Sequence, residues 1–186
     1  PMEITICPGK APRRAAVPLS KSEGHRALIL AAMAQGETLL PWLPASGDLL
    51  ATMDCLRQMG TSFTERENSL LVTPIAGPPA APLRLDCRES GSTLRFLLPL
   101  GALCGAPVTF TGAGRLGERP LKPYYDIFDI QGVKYAPAQG LPVTVEGRLH
   151  SGKFTLPGNV SSQFISGLLF ALPLLAEDSV LTVTGQ

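Results

Sequence analysis

Histidine and tryptophan are scarce in this sequence: 186 residues contain two histidines, His25 and His150, and a single tryptophan. Two histidines so far apart leave out H-E-x-x-H and multi-histidine metal centres, and no GxxxxGK[ST] phosphate loop or GxSxG nucleophile elbow occurs. Cysteine is also sparse. Cys7, Cys55, Cys87 and Cys104 include no CxxC pair and lie mostly in apolar surroundings, which suits buried reduced thiols better than a disulfide framework or a metal site. Charge is low, at 17% of residues with a net of +1, so no broad field draws nucleic acid or a membrane surface, and any anion must be held by local groups. The longest apolar stretch, Phe164 to Ala176, falls short of the roughly 20 residues a bilayer requires and contains Pro173, so it reads as a buried helix. Lys10, Arg13 and Arg14 do not open an export leader, and the expectation is a cytoplasmic protein.

What is present is a repeat. Three segments begin with serines, continue as an apolar helix of about four turns, and end in a small-residue turn and a β-rich stretch, about 70 residues apart. They start at Ser20-Lys21-Ser22, at Ser90-Gly91-Ser92 and at Ser161-Ser162-Gln163. Between them, Asp48 to Met59 and Leu121 to Ile130 have helical spacing and glycines, Gly60 and Gly132, at the C-terminal cap. Extended runs follow, Thr61 to Val72 and Val133 to Val145, with turn signals at Glu67-Asn68-Ser69 and Pro137-Ala138-Gln139-Gly140. Each unit therefore reads helix, strand, helix, hairpin, an α/β order. The third unit has a strand (Lys153 to Leu156), a helix and a strand before Gln186, so the pattern implies a polypeptide that continues.

Helix starts carry unpaired N–H groups, and serines there either cap the helix or let an anion approach. Both readings stand for Ser20, Ser90 and Ser161. Cations gather near these starts: Lys21 and Arg26 at the first, Arg95 in an otherwise apolar second helix, and Arg119 just before Pro120 in the expected first turn of the next helix, where the dipole disfavours a cation. Arg95 would pair with Glu89, and Arg119 with Glu118 or Asp126, unless a ligand anion takes their place.

Four ordered stretches resemble the 5-enolpyruvylshikimate-3-phosphate synthase family: Pro18 to Leu28 (PLSKSEGHRAL), Arg88 to Leu97 (RESGSTLRFL), Gly114 to Leu121 (GRLGERPL) and Gly158 to Ser166 (GNVSSQFIS). The resemblance implies transfer of the enolpyruvyl group of phosphoenolpyruvate to the 5-hydroxyl of shikimate 3-phosphate, with release of phosphate and without metal or cofactor. It further implies that Lys21 touches both ligands, as the catalytic residue of this chain. Ser22 and Arg26 would hold shikimate 3-phosphate on its carboxylate side, Ser161 and Ser162 would bind its phosphate, and Gln163 would lie against its ring. Gly91, with Ser92 keeping a hydroxyl there, and Arg119 would contact phosphoenolpyruvate or glyphosate, and Arg95 would support that wall. Glu89 stands where the family usually has Asn, and Ser92 where Thr is usual.

The implied fold is one domain of an inside-out α/β barrel, built from repeated units of helices on mixed four-stranded sheets with the third unit truncated. Residues 1–19, with a strand around Glu3 to Cys7, would belong with a second domain. The units would cover about 20–82, 83–150 and 151–186. The family's remaining carboxylates and basic groups would come from a missing C-terminal half of the same enzyme, so this chain alone is expected to lack turnover. A noncatalytic shikimate 3-phosphate-binding fragment and a UDP-N-acetylglucosamine enolpyruvyl transferase are the alternatives.

Overall fold

The computed structural model describes residues 20–41, 46–77 and 82–185. Helix α1 (Lys21–Ala32) leads to strand β1 (Thr38–Pro41), helix α2 (Gly47–Gln58) and the hairpin β2 (Ser62–Arg66) and β3 (Ser69–Thr73). The order then repeats as β4 (Leu83–Asp86), α3 (Gly91–Gly101), β5 (Val108–Thr111), α4 (Lys122–Gln131), β6 (Lys134–Ala136) and β7 (Val143–Glu146). A third round contributes β8 (Lys153–Pro157), α5 (Ser162–Ala171) and β9 (Val180–Thr184). The expected strand around Glu3 to Cys7 lies outside the described residues.

A four-stranded mixed sheet is complete in the second round, ordered β4-β5-β7-β6, with β4 parallel to β5 and the other pairs antiparallel. The first round gives three antiparallel strands, β1-β3-β2, and the third a parallel pair, β8-β9, among the described residues. Alternation sets the register. Val108 and Phe110 face Val145 and Val143 on the buried side, while Thr109 Oγ1 and Thr144 Oγ1 meet at 2.8 Å on the other side. A one-residue slip of either strand would turn that strand's two core side chains, Val108 and Phe110 or Val143 and Val145, away from the buried side.

The parallel pairs β4/β5 and β8/β9 are each joined through a helix, α3 and α5, as parallel strands require. Helix α3 is the most enclosed element: along Gly91–Gly101 the residues that escape burial are Ser92 and Arg95. Helix α2 wedges between α1 and α3 through Thr52, while α3 packs directly on α5 and the Tyr124 hydroxyl of α4 reaches a backbone carbonyl of each. Aromatic edges close the inner layer, with Phe96 against Phe170 at 5.5 Å and Tyr124 against Phe164 at 4.9 Å between ring centroids.

Two sequence expectations change. The apolar run from Phe164 is helical only to Ala171, after which Pro173 turns it into a 3-10 segment (Leu172–Leu174), and Leu169 points outward. Pro120 does not enter a helix: Arg119 before it is extended, as a residue preceding proline prefers, and α4 begins at Lys122 with Pro123 in its first turn. The glycine caps hold, with Gly132 at φ 70° and Gly60 at φ 109° in the left-handed region. Cys55, Cys87 and Cys104 are buried free thiols. Among the described residues, no helix is long and apolar enough to cross a membrane.

Candidate anion-binding site

The starts of α1, α3 and α5 are capped alike. Ser20 Oγ accepts from Glu23 N–H at 3.3 Å, Ser90 Oγ from Thr93 N–H at 3.2 Å, and Ser161 Oγ from Gln163 N–H at 3.3 Å. Each serine thus satisfies one amide, and the other first-turn amides keep the positive end of the helix dipole available to an anion. Ser46 caps α2 the same way, through Leu49 N–H at 3.2 Å.

Side chains tie these starts together. Arg26 in α1 donates to Ser22 Oγ at 2.7 Å and to Ser22 O at 2.9 Å, and reaches Ser166 Oγ in α5 at 3.0 Å. Its guanidinium also lies over the Phe96 ring, 5.0 Å from the centroid. Gln163 spans α5 and α3: its Oε1 accepts from Arg95 at 2.8 Å and its Nε2 donates to Ser92 Oγ at 2.8 Å. Arg119 packs its Nη1 against Gly91, so closely that a Cβ there would overlap it. Lys21, Ser22, Arg26, Gly91, Ser92, Arg95, Arg119 and Gln163 therefore sit at one end of the helices, with Ser161 and the exposed Ser162 at the start of α5.

The ion pairs weighed from the sequence for Arg95 and Arg119 are not the ones formed. Glu118 pairs with Arg115 at 2.8 Å and Asp126 with Lys122 at 2.6 Å, while the Glu89 carboxylate lies against Gly114. Among the described residues, Arg26, Arg95 and Arg119 have no carboxylate partner. Burial lowers the pKa of Arg95, and the neighbouring charge of Arg119 lowers it further. Two guanidinium groups in mutual repulsion create a local demand for an anion. Lys21 does have a partner, Asp48 Oδ2 at 2.6 Å, in a pair whose lysine side chain is 54% exposed. A pair so exposed contributes about 0–1 kcal/mol, little enough for a ligand to replace. Asp48 and Ser166 were not singled out from the sequence, because what each touches lies on another helix.

His25 is the buried titratable group of this end. Its pKa is pulled down to about 4, foremost by burial and in addition by Lys21 and Arg26, against an opposing pull from Asp48. Unfolding frees the imidazole to bind a proton near pH 6.5, so between that value and about 4 the unfolded chain holds the extra proton. Stability is then complete above about pH 6.5 and is lost as pH falls toward 4, by an expected 2–3 kcal/mol as an order of magnitude. Urea unfolding at pH 7 and pH 5 measures this, and His25→Asn should flatten the profile in that window.

The geometry and connectivity define a class. Over 87% of the chain the fold matches the enolpyruvyl transferase NikO from Streptomyces tendae, with a TM-score of 0.61 and 17% identity. It matches EPSP synthase from Acinetobacter baumannii over 92% of the chain and 40% of that protein, with a TM-score of 0.78 and 24% identity. Residues 12–186 match the family described as EPSP synthase (3-phosphoshikimate 1-carboxyvinyltransferase), and the chain belongs to that family. Curated relatives named 3-phosphoshikimate 1-carboxyvinyltransferase include that of Clostridium beijerinckii, 43% identical over 98% of this chain, and one of Clostridium perfringens, 42% identical over 99%. The chain spans 44% of the length of either relative.

Proposed function

We propose that this chain forms one wall of a site that binds shikimate 3-phosphate and phosphoenolpyruvate, and that it acts in enolpyruvyl transfer together with a second half of the enzyme. One observation carries the reading: serine-capped helix starts share one end of the fold with Arg26, Arg95 and Arg119, which no described carboxylate neutralises. Membership of the family supports it. In this reading Lys21 exchanges Asp48 for ligand, Ser22 and Arg26 hold the shikimate carboxylate side, Ser161 and Ser162 the 3-phosphate, and Gln163 the ring. Gly91, Ser92 and Arg119 face phosphoenolpyruvate, with Arg95 behind them. Preorganised donors of this kind stabilise charge that develops in a transition state without themselves having to reorganise.

The groups of this wall assigned to ligand are cations, hydroxyls and amides, and the family resemblance implies that the remaining carboxylates come from the C-terminal half of the enzyme. Proton transfer to the enolpyruvyl carbon and away from the 5-hydroxyl then falls to groups of the opposite wall. The test is phosphate release from the two substrates, by this chain alone and after mixing with a complementary C-terminal half of a relative. The expected outcome is no release alone and release in the mixture, abolished by Lys21→Ala. Turnover by the chain alone, or a mixture indifferent to Lys21→Ala, would overturn the proposal.

A further inference from the structure

A continuous buried chain of polar groups threads the wedge formed by α2. His25 Nδ1 on α1 is 2.8 Å from Thr52 Oγ1 on α2, and Thr52 Oγ1 is 2.7 Å from Thr93 Oγ1 on α3. Thr93 Oγ1 in turn meets Ser90 Oγ, the cap of α3, at 2.7 Å, and lies 3.3 Å from the carbonyl of Asp48. His25, Thr52 and Thr93 have no exposed surface. Valine at position 52 would fill the same volume, so packing alone does not require the hydroxyl.

What the hydroxyl adds is a fixed distance. A hydrogen bond weakens steeply when stretched or bent, whereas apolar helix faces tolerate small slides. The chain runs from the residue beside Arg26 to the residue beside Gly91, and Asp48, the partner of Lys21, lies one helical turn before Thr52. It therefore spans the starts of α1, α2 and α3. His25 suits this use because burial keeps its ring neutral, so the chain holds its charge state through the neutral pH range.

We propose that Thr52 is a positioning residue: through His25 and Thr93 it fixes the start of α1 against that of α3, and so the spacing of Lys21 and Arg26 from Gly91 and Arg119. The proposal rests on the site reading above. A rigid ligand with anionic groups at two ends would sense that spacing, and misplacement of about 1 Å is costly in such a site.

The test uses the chain itself with inorganic phosphate as probe, followed by amide shifts at Ser22 to Arg26 and Gly91 to Thr93, together with residual dipolar couplings of α1 and α3. Thr52→Val is expected to rotate α1 relative to α3 and to weaken phosphate binding about fivefold or more, and Thr52→Ser should return both to within about twofold. Thr52→Val also strands the buried His25 Nδ1, while Thr93 Oγ1 keeps Ser90 Oγ and the Asp48 carbonyl, and the variant could fail to fold, so a second variant decides. The double variant His25→Leu/Thr52→Val removes both ends of the first hydrogen bond, which restores stability when only burial matters. Recovered stability with phosphate binding still weakened and couplings still altered supports the positioning role. Recovered stability with original binding and couplings overturns it. If the unaltered chain binds no phosphate at these amides, the site reading fails, while the couplings alone still decide whether Thr52 sets the helix geometry.

Discussion

Replacement of Gly167 by alanine is expected to destabilise the chain by about 3 kcal/mol or more, seen as a lower urea midpoint and a melting temperature lower by roughly 10 °C. The reason begins with Pro99 inside α3, which has no N–H to donate to the carbonyl of Arg95 one turn earlier. Tyr124 of α4 supplies the missing donor: its hydroxyl lies 2.7 Å from Arg95 O and 3.0 Å from Phe164 O. Gly167 of α5 packs on that junction. A Cβ there would overlap the Tyr124 hydroxyl and come to 2.5 Å from Arg95 O, which is backbone and cannot swing aside. Helices α3 and α5 would separate, and the Arg95 carbonyl would lose its donor. Pairing Gly167→Ala with Tyr124→Phe should cost less than the sum of the two, since the second change removes one of the overlapping atoms. Additive losses would show that the clash is not at the hydroxyl.

Gly91→Ala should leave stability intact and damage binding. The new methyl would overlap Arg119 Nη1 and lie 3.1 Å from Cζ, and the atoms it meets belong to the flexible end of an exposed side chain. The guanidinium moves and the backbone does not, while alanine in a helix gains up to about 1 kcal/mol over glycine. In the complemented enzyme, KM for phosphoenolpyruvate is expected to rise roughly tenfold or more, because a charge-assisted hydrogen bond contributes about 1.5–3 kcal/mol. KM for shikimate 3-phosphate should change far less. Equal effects on both substrates would remove Arg119 from its assigned partner.

The units, their order and their caps were legible along the chain, because apolar periodicity, serine caps and left-handed glycines act over a few residues. Gly132 and Ser90 took the roles their spacing assigns. The cations were legible for a related reason: Arg95 interrupts an apolar face, and such a residue has to be accounted for by something polar. Its partner was not legible. Gln163 holds Arg95 from 68 residues away, Asp48 holds Lys21 from 27 away, and nothing local marks either pairing. Pro120 misled because proline suits both a helix start and the extended residue before it, and the 3-10 turn at Leu116–Glu118 chose the second.

The sequence by itself determined the repeated α/β unit, the serine-led helix starts and the family, since each of these is written in short contiguous stretches. Only the tertiary structure decided that Arg119 lies on Gly91, that Thr52 joins three helices and that Tyr124 replaces the donor Pro99 lacks. Those contacts join residues that are distant along the chain, and helix packing alone brings them within hydrogen-bonding or van der Waals range.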